Sequence, residues 1–428
     1  MSLVFKNASL LLGKDLTFVK YGFIEIGKNG IIKKAGSGSY YNKIDDHNSD
    51  NVIDAEGFLI IPGFINGHTH VGDSIGKDIA VDSRLEARVH PVFGAKKKIL
   101  QKSKPDHLKT FMRNSAISMM KKGIVAFADF REGGPEGVKL LRDAISDLPI
   151  KYMIFGRVEY YLDPSKKGGG RRSDMEERKN GRKLPPYALQ MASEVLKIAD
   201  GLGISSANEN TSESLQQYHE LLHKSNKNKT NKKLLIAIHA AESKSTSEFS
   251  KLKTGKTEVD RIMRYLKPDI IIHMTNATDN DISIVAKKRT AVIVCPRANG
   301  ILGAGIPKVA KMLKHGCTIG IGTDNVMLNS PDIFRELDYL WKVSRATEPG
   351  LIDAKNILKM ATVNAAKILG LNSGCIEAGR SADLLFIDKN HLDLYPIHNP
   401  YASIVQRANQ DSIRAVMING EFVDEALL

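Results

Sequence analysis

From Ile60 to about Gly370 the chain repeats one texture, a short run of β-branched residues followed by an amphipathic, Lys-rich stretch. A strand period that alternates with a helical period joins parallel strands through helical crossovers, so this region predicts repeated βα units around a parallel sheet. The strand candidates run from Leu59 to Ile65, Ile124 to Phe130, Lys151 to Val158, Ile204 to Ala207, Leu234 to His239, Ile270 to Met274, Ala291 to Cys295 and Thr318 to Gly322. Eight is the number a closed barrel needs, and the intervals of 31 and 34 residues separating Ile204, Leu235 and Asp269 are each about one βα unit. The expected fold is α/β, a (β/α)8 TIM-like barrel over residues 59–373.

Both ends of the chain have a different texture. LVFKNASLLL, GFIEIGKNGIIKKAG and NVIDAEGFL near the start, and ADLLFID and IRAVMINGEFV near the end, read as hairpin strands with NG at turns. Residues 1–58 and 374–428 are thus expected to build one small β-sandwich packed on the barrel. With 428 residues, 42% of them hydrophobic, the chain can fill both cores.

Composition narrows the class further. Lys14 and Asp15 interrupt the N-terminal apolar run before it could act as a signal peptide, and no stretch approaches the ~18 apolar residues of a membrane span. Cys295, Cys317 and Cys375 form neither a CxxC pair nor an even disulfide framework, which points to a reducing compartment and away from a sulfur-ligated zinc site. The expectation is a cytoplasmic protein with no membrane partner and homo-oligomerisation left open. Much of the net charge of +14 sits in residues 166–183 and 224–233, which carry no interleaved aromatics and no nucleic-acid motif. They read as solvated loops rather than a nucleic-acid surface. The longer segment 163–183, which contains the first, follows the third strand, so it is expected on the active-site face as a lid over an anionic ligand.

The chemistry is concentrated at strand ends. In PGFINGHTH, residues 62–70, His68 and His70 are two apart at the end of a strand and can reach one cation from the same side. Alone, such a pair reads equally well as two histidines in a turn. LLIAIHAAE then ends a strand at His239, IIIHMTNATDND ends the next at His273, and TIGIGTDN ends the last at Asp324. Barrel enzymes carry their functional groups at these ends, and burying such groups unpaired costs several kcal/mol, so packing does not account for the set.

PGFINGHTH, HAAE, a strand-end histidine, CPRAN and GTDN, in that order, resemble the amidohydrolase superfamily, in the branch of cytosine, guanine and adenosine-type deaminases and triazine hydrolases. The resemblance spans nearly the whole chain, with GRSADLLFID and AVMINGEFV similar to that family's tail. It implies His68, His70, His239 and Asp324 as ligands of one divalent metal ion. The position of the carbamylated lysine of two-metal members reads ISSANEN, without lysine. Zn2+ suits the ligands, and Fe2+, Mn2+ or Ni2+ satisfy similar sets. The implied nucleophile is hydroxide formed at the metal, with Asp324 accepting the water proton, His273 steadying the developing oxyanion and Glu242 of HAAE shuttling protons. Arg131, Asn208, Glu209, Arg297 and Asn299 follow strand ends and are substrate-contact candidates by position, or else barrel-mouth ion pairs. Arg131 and Arg297 together would suit a carboxylate or phosphate on a small-molecule substrate.

After His70 the chain reads VGDSIGKDIAVDSRL, where many ring deaminases of this type are aromatic and leucine-rich. That departure points away from a nucleobase or nucleoside and keeps a cyclic or linear amidase as the alternative, while the resemblance implies hydrolysis of a non-peptide C–N bond, foremost deamination of a ring amidine with release of ammonia. A noncatalytic scaffold of the same fold would have lost ligands, and here the set is complete.

Overall fold

In the computed structural model, which describes residues 2–40, 51–83, 85–161, 183–227, 233–348 and 352–423, the chain opens with β1 (Leu3–Leu12), β2 (Thr17–Ile26), β3 (Ile32–Ser37), β4 (Val52–Asp54) and β5 (Phe58–Pro62). The central strands are β6 (Phe64–His70), β7 (Ile124–Arg131), β8 (Lys151–Gly156), β9 (Gly201–Ser206), β10 (Leu235–Ala240), β11 (Ile270–His273), β12 (Ala291–Val294), β13 (Ile319–Ile321) and β14 (Asp324–Asn325). β15 (Leu384–Asp388), β16 (Ile413–Ile418) and β17 (Glu421–Phe422) follow.

The central strands pair in the order β13-β12-β11-β10-β9-β8-β7-β6-β14, every pair parallel. β13 and β14, at opposite ends of this order, are consecutive in the chain, separated by Gly322 and Thr323. The Gly322 amide donates to Val294 O on β12, while the Thr323 amide donates to His68 O on β6 at 3.1 Å. One bent strand thus joins both edges and closes an eight-stranded barrel. Parallel strands with helices outside bury both faces, and β6 and β7 are buried at every residue. The outer helices follow ordinary rules: Pro105–Lys121 starts on a proline and buries Leu108, Met112, Ser115, Ala116 and Met119 at helical spacing.

The terminal strands form one mixed sheet, ordered β17-β16-β15-β5-β1-β2-β3 with β4 on β1. Its side chains alternate between two cores, as the strand period of two requires. Leu384 and Phe386 join Phe5, Leu10, Ile24, Ile60 and Met417 in a small core of their own. Leu385 and Ile387 join Leu59, Ile61 and Val416 against the barrel. A mixed sheet from both termini lying on a TIM-like barrel fits the expected barrel with a β-sandwich.

Two strand assignments need correction. The run from Leu59 to Ile65 is two strands: Phe58–Pro62 pairs antiparallel with β15 in the terminal sheet, and the first barrel strand is Phe64–His70. The run looks continuous because both pieces are buried, and the chain changes sheets at Gly63, whose amide donates to Asp383 O. His68 and His70 consequently lie within the strand rather than beyond it. The fourth strand starts at Gly201, three residues before its expected start, its first turn hidden by glycines that strand propensity disfavours. Of the basic segments, 224–227 is the last turn of helix Ser212–Lys227 rather than loop. The lid segment lies outside the described residues, except for Lys183. No helix among the described residues is long and apolar enough to cross a membrane.

Closure depends on the absence of a side chain at Gly322, where a Cβ would stand 2.7 Å from the His68 backbone nitrogen. Gly322→Ala is expected to push β14 away from β6 and to destabilise the fold by about 1–3 kcal/mol in urea unfolding, the usual range for overpacking. Unchanged stability would remove this contact from the account of closure.

Candidate active site and metal centre

Four side chains meet where β6, β10 and β14 end. The Nε2 atoms of His68 and His239 are 3.3 Å apart, His68 Nε2 lies 3.3 Å from Asp324 Oδ1, and His70 Nε2 lies 3.6 Å from the same oxygen. A tetrahedral ion with ~2.1 Å bonds separates its ligand atoms by roughly 3.4 Å, so the spacing matches a first coordination sphere. The four ligand atoms all lie within 4.8 Å of one another. The arrangement also fits a cation chemically. His239 Nδ1 donates to Ser205 O at 2.9 Å, and His70 Nδ1 donates to Glu132 Oε1 at 3.0 Å and Phe130 O at 3.2 Å, which leaves each Nε2 a lone pair facing the centre. Burial pushes all three imidazoles below their ordinary pKa, that of His70 to about 3, so they are neutral as ligands must be. Burial alone would raise the Asp324 carboxyl, but the His68 hydrogen bond and neighbouring His273 hold it well below the usual carboxylate range.

The second group comprises Glu242, His273 and Asp324. His273 Nε2 is 3.6 Å from Glu242 Oε1, and its other ring nitrogen accepts from Asn299 Nδ2 at 3.2 Å. Thr275 Oγ1 donates to Asn299 Oδ1 at 3.0 Å, which orients the amide. Neutral His273 therefore carries its proton on Nε2, aimed at the site. Burial, with the neighbouring charge of Asp324, pushes the Glu242 carboxyl up to about 8. The backbone reaches these positions at some expense: Ala241, His273, Met274 and Asp324 have φ of 51°, 79°, 56° and 61°. Non-glycine residues in this region are strained by roughly 1–3 kcal/mol each and concentrate at functional sites.

A cleft of about 700 Å³, counted with its open mouth, reaches this centre and is lined by His70, Glu242, His273 and Asp324. The substrate-contact candidates divide around it. Glu209 lines the cleft, its Oε2 fixed by the hydroxyls of Ser205 and Ser206. Asn208 turns away, its amide donating to Thr246 O and Glu258. Asn299 stands behind His273 as its orienting partner. Arg297 lines a different surface pocket and pairs with buried Glu336 at 3.4 Å. Arg131 packs beneath the turn Val71–Gly76, where a Cβ on Gly72 would stand 1.6 Å from its guanidinium. Arg131 and Arg297 do not converge, so the anion pairing expected of them is not formed.

Residues 59–423 match the amidohydrolase family, and over 423 residues the chain is 34% identical to a Methanothermobacter thermautotrophicus protein provisionally named an aminohydrolase, with 98% of this chain and 99% of that one covered. The chain belongs to the amidohydrolase family. It is 31% identical over 433 residues to the 5-methylthioadenosine/S-adenosylhomocysteine deaminase of Thermococcus sibiricus, covering 99% and 94% of the two chains. The fold is that of C. acetobutylicum guanine deaminase with bound guanine (TM-score 0.79, 17% identity, 99% and 100% covered). It is also that of the atrazine chlorohydrolase TrzN of Arthrobacter aurescens TC1 complexed with zinc (TM-score 0.80, 18% identity, 98% and 94% covered).

Sequence reasoning missed several residues of this amidohydrolase site. Glu132, next to Arg131 in FREGG, holds His70, and Lys96 and Arg157 line the cleft. Position after the second and third strands marks Glu132 and Arg157, though not their direction. Nothing local marks Lys96, one of three lysines in AKKKIL.

If these four ligands hold one ion, elemental analysis of dialysed protein is expected to give about one divalent metal per chain, lost in His239→Ala. Two ions per chain, or full occupancy in the variant, would contradict the assignment.

Proposed function

We propose that this amidohydrolase is a hydrolytic deaminase that removes the amino group of a ring amidine and releases ammonia, using zinc held by His68, His70, His239 and Asp324. The observation that carries the reading is the position of Glu242, a carboxyl on the cleft wall 3.6 Å from His273 Nε2 and grouped with Asp324, where burial favours its protonated form. The end of the fourth strand, residues 204–210, holds no lysine that could be carbamylated. The deaminase names of relatives that cover nearly the whole chain support the same chemistry, as does zinc in a fold neighbour for the choice of metal. Three buried, free cysteines support a cytoplasmic location.

When bound, the ion supplies a Lewis acid that lowers the pKa of water towards 7. Glu242 gives its proton to the ring nitrogen beside the amino-bearing carbon, which makes that carbon electrophilic. Asp324 accepts the first proton of the attacking water, and the His273 Nε2–H donates a hydrogen bond to the developing oxyanion. Asp324 then passes its proton to the amino group, the C–N bond breaks, and the second water proton restores Glu242 as the carbonyl forms. One water is consumed and one ammonia leaves. Glu209, anchored by two hydroxyls on the cleft wall, is placed to accept hydrogen bonds from the substrate.

An ammonia-release screen would begin with 5-methylthioadenosine, S-adenosylhomocysteine and guanine, the compounds of the relatives' and neighbours' names. On the compound it finds, Glu242→Gln is expected to lower turnover by roughly 10²–10⁴-fold, the range for general acid–base catalysis, with metal content retained. Near-normal turnover would contradict the mechanism, and a carboxylate product without ring deamination would make the enzyme an amidase.

A further inference from the structure

The carboxylate behind His70 belongs to a buried ionic cluster that the reaction does not use. Glu132 Oε1 lies 3.0 Å from His70 Nδ1, 2.6 Å from Lys96 Nζ and 3.3 Å from Arg157 Nη1, with Arg131 Nη2 3.5 Å from Oε2. Lys96, on helix Ala95–Lys102, is itself buried and lies 3.3 Å from Asp73 Oδ2. Asp73, fully buried, accepts from Asn325 Nδ2 at 2.6 Å and from the Met327 amide at 3.0 Å. One ammonium therefore touches two carboxylates, of which one holds the ligand His70 and the other holds the segment immediately after Asp324.

Buried ion clusters add little net stability over apolar packing, because desolvation offsets the attraction. Their use must be sought in geometry. A carboxylate on the far nitrogen of a metal-binding imidazole fixes the tautomer and ring plane and raises the ligand's basicity. The Glu132 oxygen that accepts from His70 Nδ1 also faces the Lys96 ammonium at 2.6 Å and the Arg157 guanidinium at 3.3 Å, which fix its position behind the ring. Asp73 does the corresponding work on the other strand, pinning Asn325 while β14 pairs with β6 through Asp324↔Thr69 and Asn325↔His70.

We infer that Glu132 and Lys96 are positioning residues of the metal centre: Glu132 orients His70, and Lys96 ties Glu132 to Asp73 so that the ends of β6 and β14 hold their ligands at a fixed separation. The inference rests on the metal reading of the site but not on the identity of the substrate. It is tested on metal-free full-length chain by competing Zn2+ against a chromophoric chelator and by the visible spectrum of the Co2+ form.

Glu132→Gln and Lys96→Met are each expected to weaken Zn2+ binding by about 10–100-fold and to change the Co2+ spectrum, the usual effect of removing a ligand's outer partner. The double variant is expected to lose no more than the worse single one, because both act through His70. If Glu132→Gln leaves its cations unpaired and fails to fold, Lys96→Met/Glu132→Gln removes one cation with the carboxylate and carries the comparison. Wild-type affinity and spectrum in the variants would overturn the inference. So would a Lys96→Met enzyme whose only defect is a raised KM, since Lys96 lines the cleft and would then be a substrate contact. A wild-type chain that binds neither ion fails the metal reading itself, before any variant is compared.

Discussion

The pairing of a two-residue strand, Asp324–Asn325, with Thr69 and His70 holds this molecule's chemistry together. It closes the barrel and, in the same register, brings the carboxylate of the last strand against the imidazoles of the first. Without it Asp324 would be separated from His68 and His70 by an open edge. The buried Asn66 reinforces the seam from below, its amide exchanging hydrogen bonds with the Thr323 side chain and backbone at 2.7 and 3.0 Å. Barrel closure and the approach of Asp324 to His68 and His70 are one structural event.

Left-handed backbone at Ala241, His273 and Asp324 turns the chain sharply at the rim, so that His239 before one such turn and Glu242 just after it both line the cleft. Surrounding structure must overdetermine such conformations for them to persist. Here the supports are visible as the Ala241 amide on buried Glu258 at 3.0 Å and the Asn299–Thr275 pair behind His273.

How far the site could be read from the sequence follows from the same geometry. His68, His70, His239, His273 and Asp324 sit in or beside strands whose apolar runs announce themselves, and strand ends of a barrel converge whatever the loops do. Side-chain direction just beyond a strand is another matter. Arg131 and Glu132 are neighbours, yet the first packs under a turn and the second accepts from His70; Arg297 and Asn299 share the short helix Pro296–Ile301, yet the first faces outward and the second faces His273. Helical rotation between such residues is set by packing that no local pattern records. The split of Leu59 to Ile65 between two sheets was illegible for a related reason, since a strand buried on both faces loses the alternation that would mark where one sheet ends and the next begins.

The central claim is that three imidazoles and one carboxylate, carried by the first, fifth and last barrel strands, share a single ion. X-ray absorption at the metal edge of the loaded protein tests it most directly. The account predicts nitrogen and oxygen neighbours alone at about 2.0–2.2 Å, with the outer-shell scattering of three imidazoles. A sulfur neighbour near ~2.3 Å, or a second metal at ~3.5–4 Å, would contradict it.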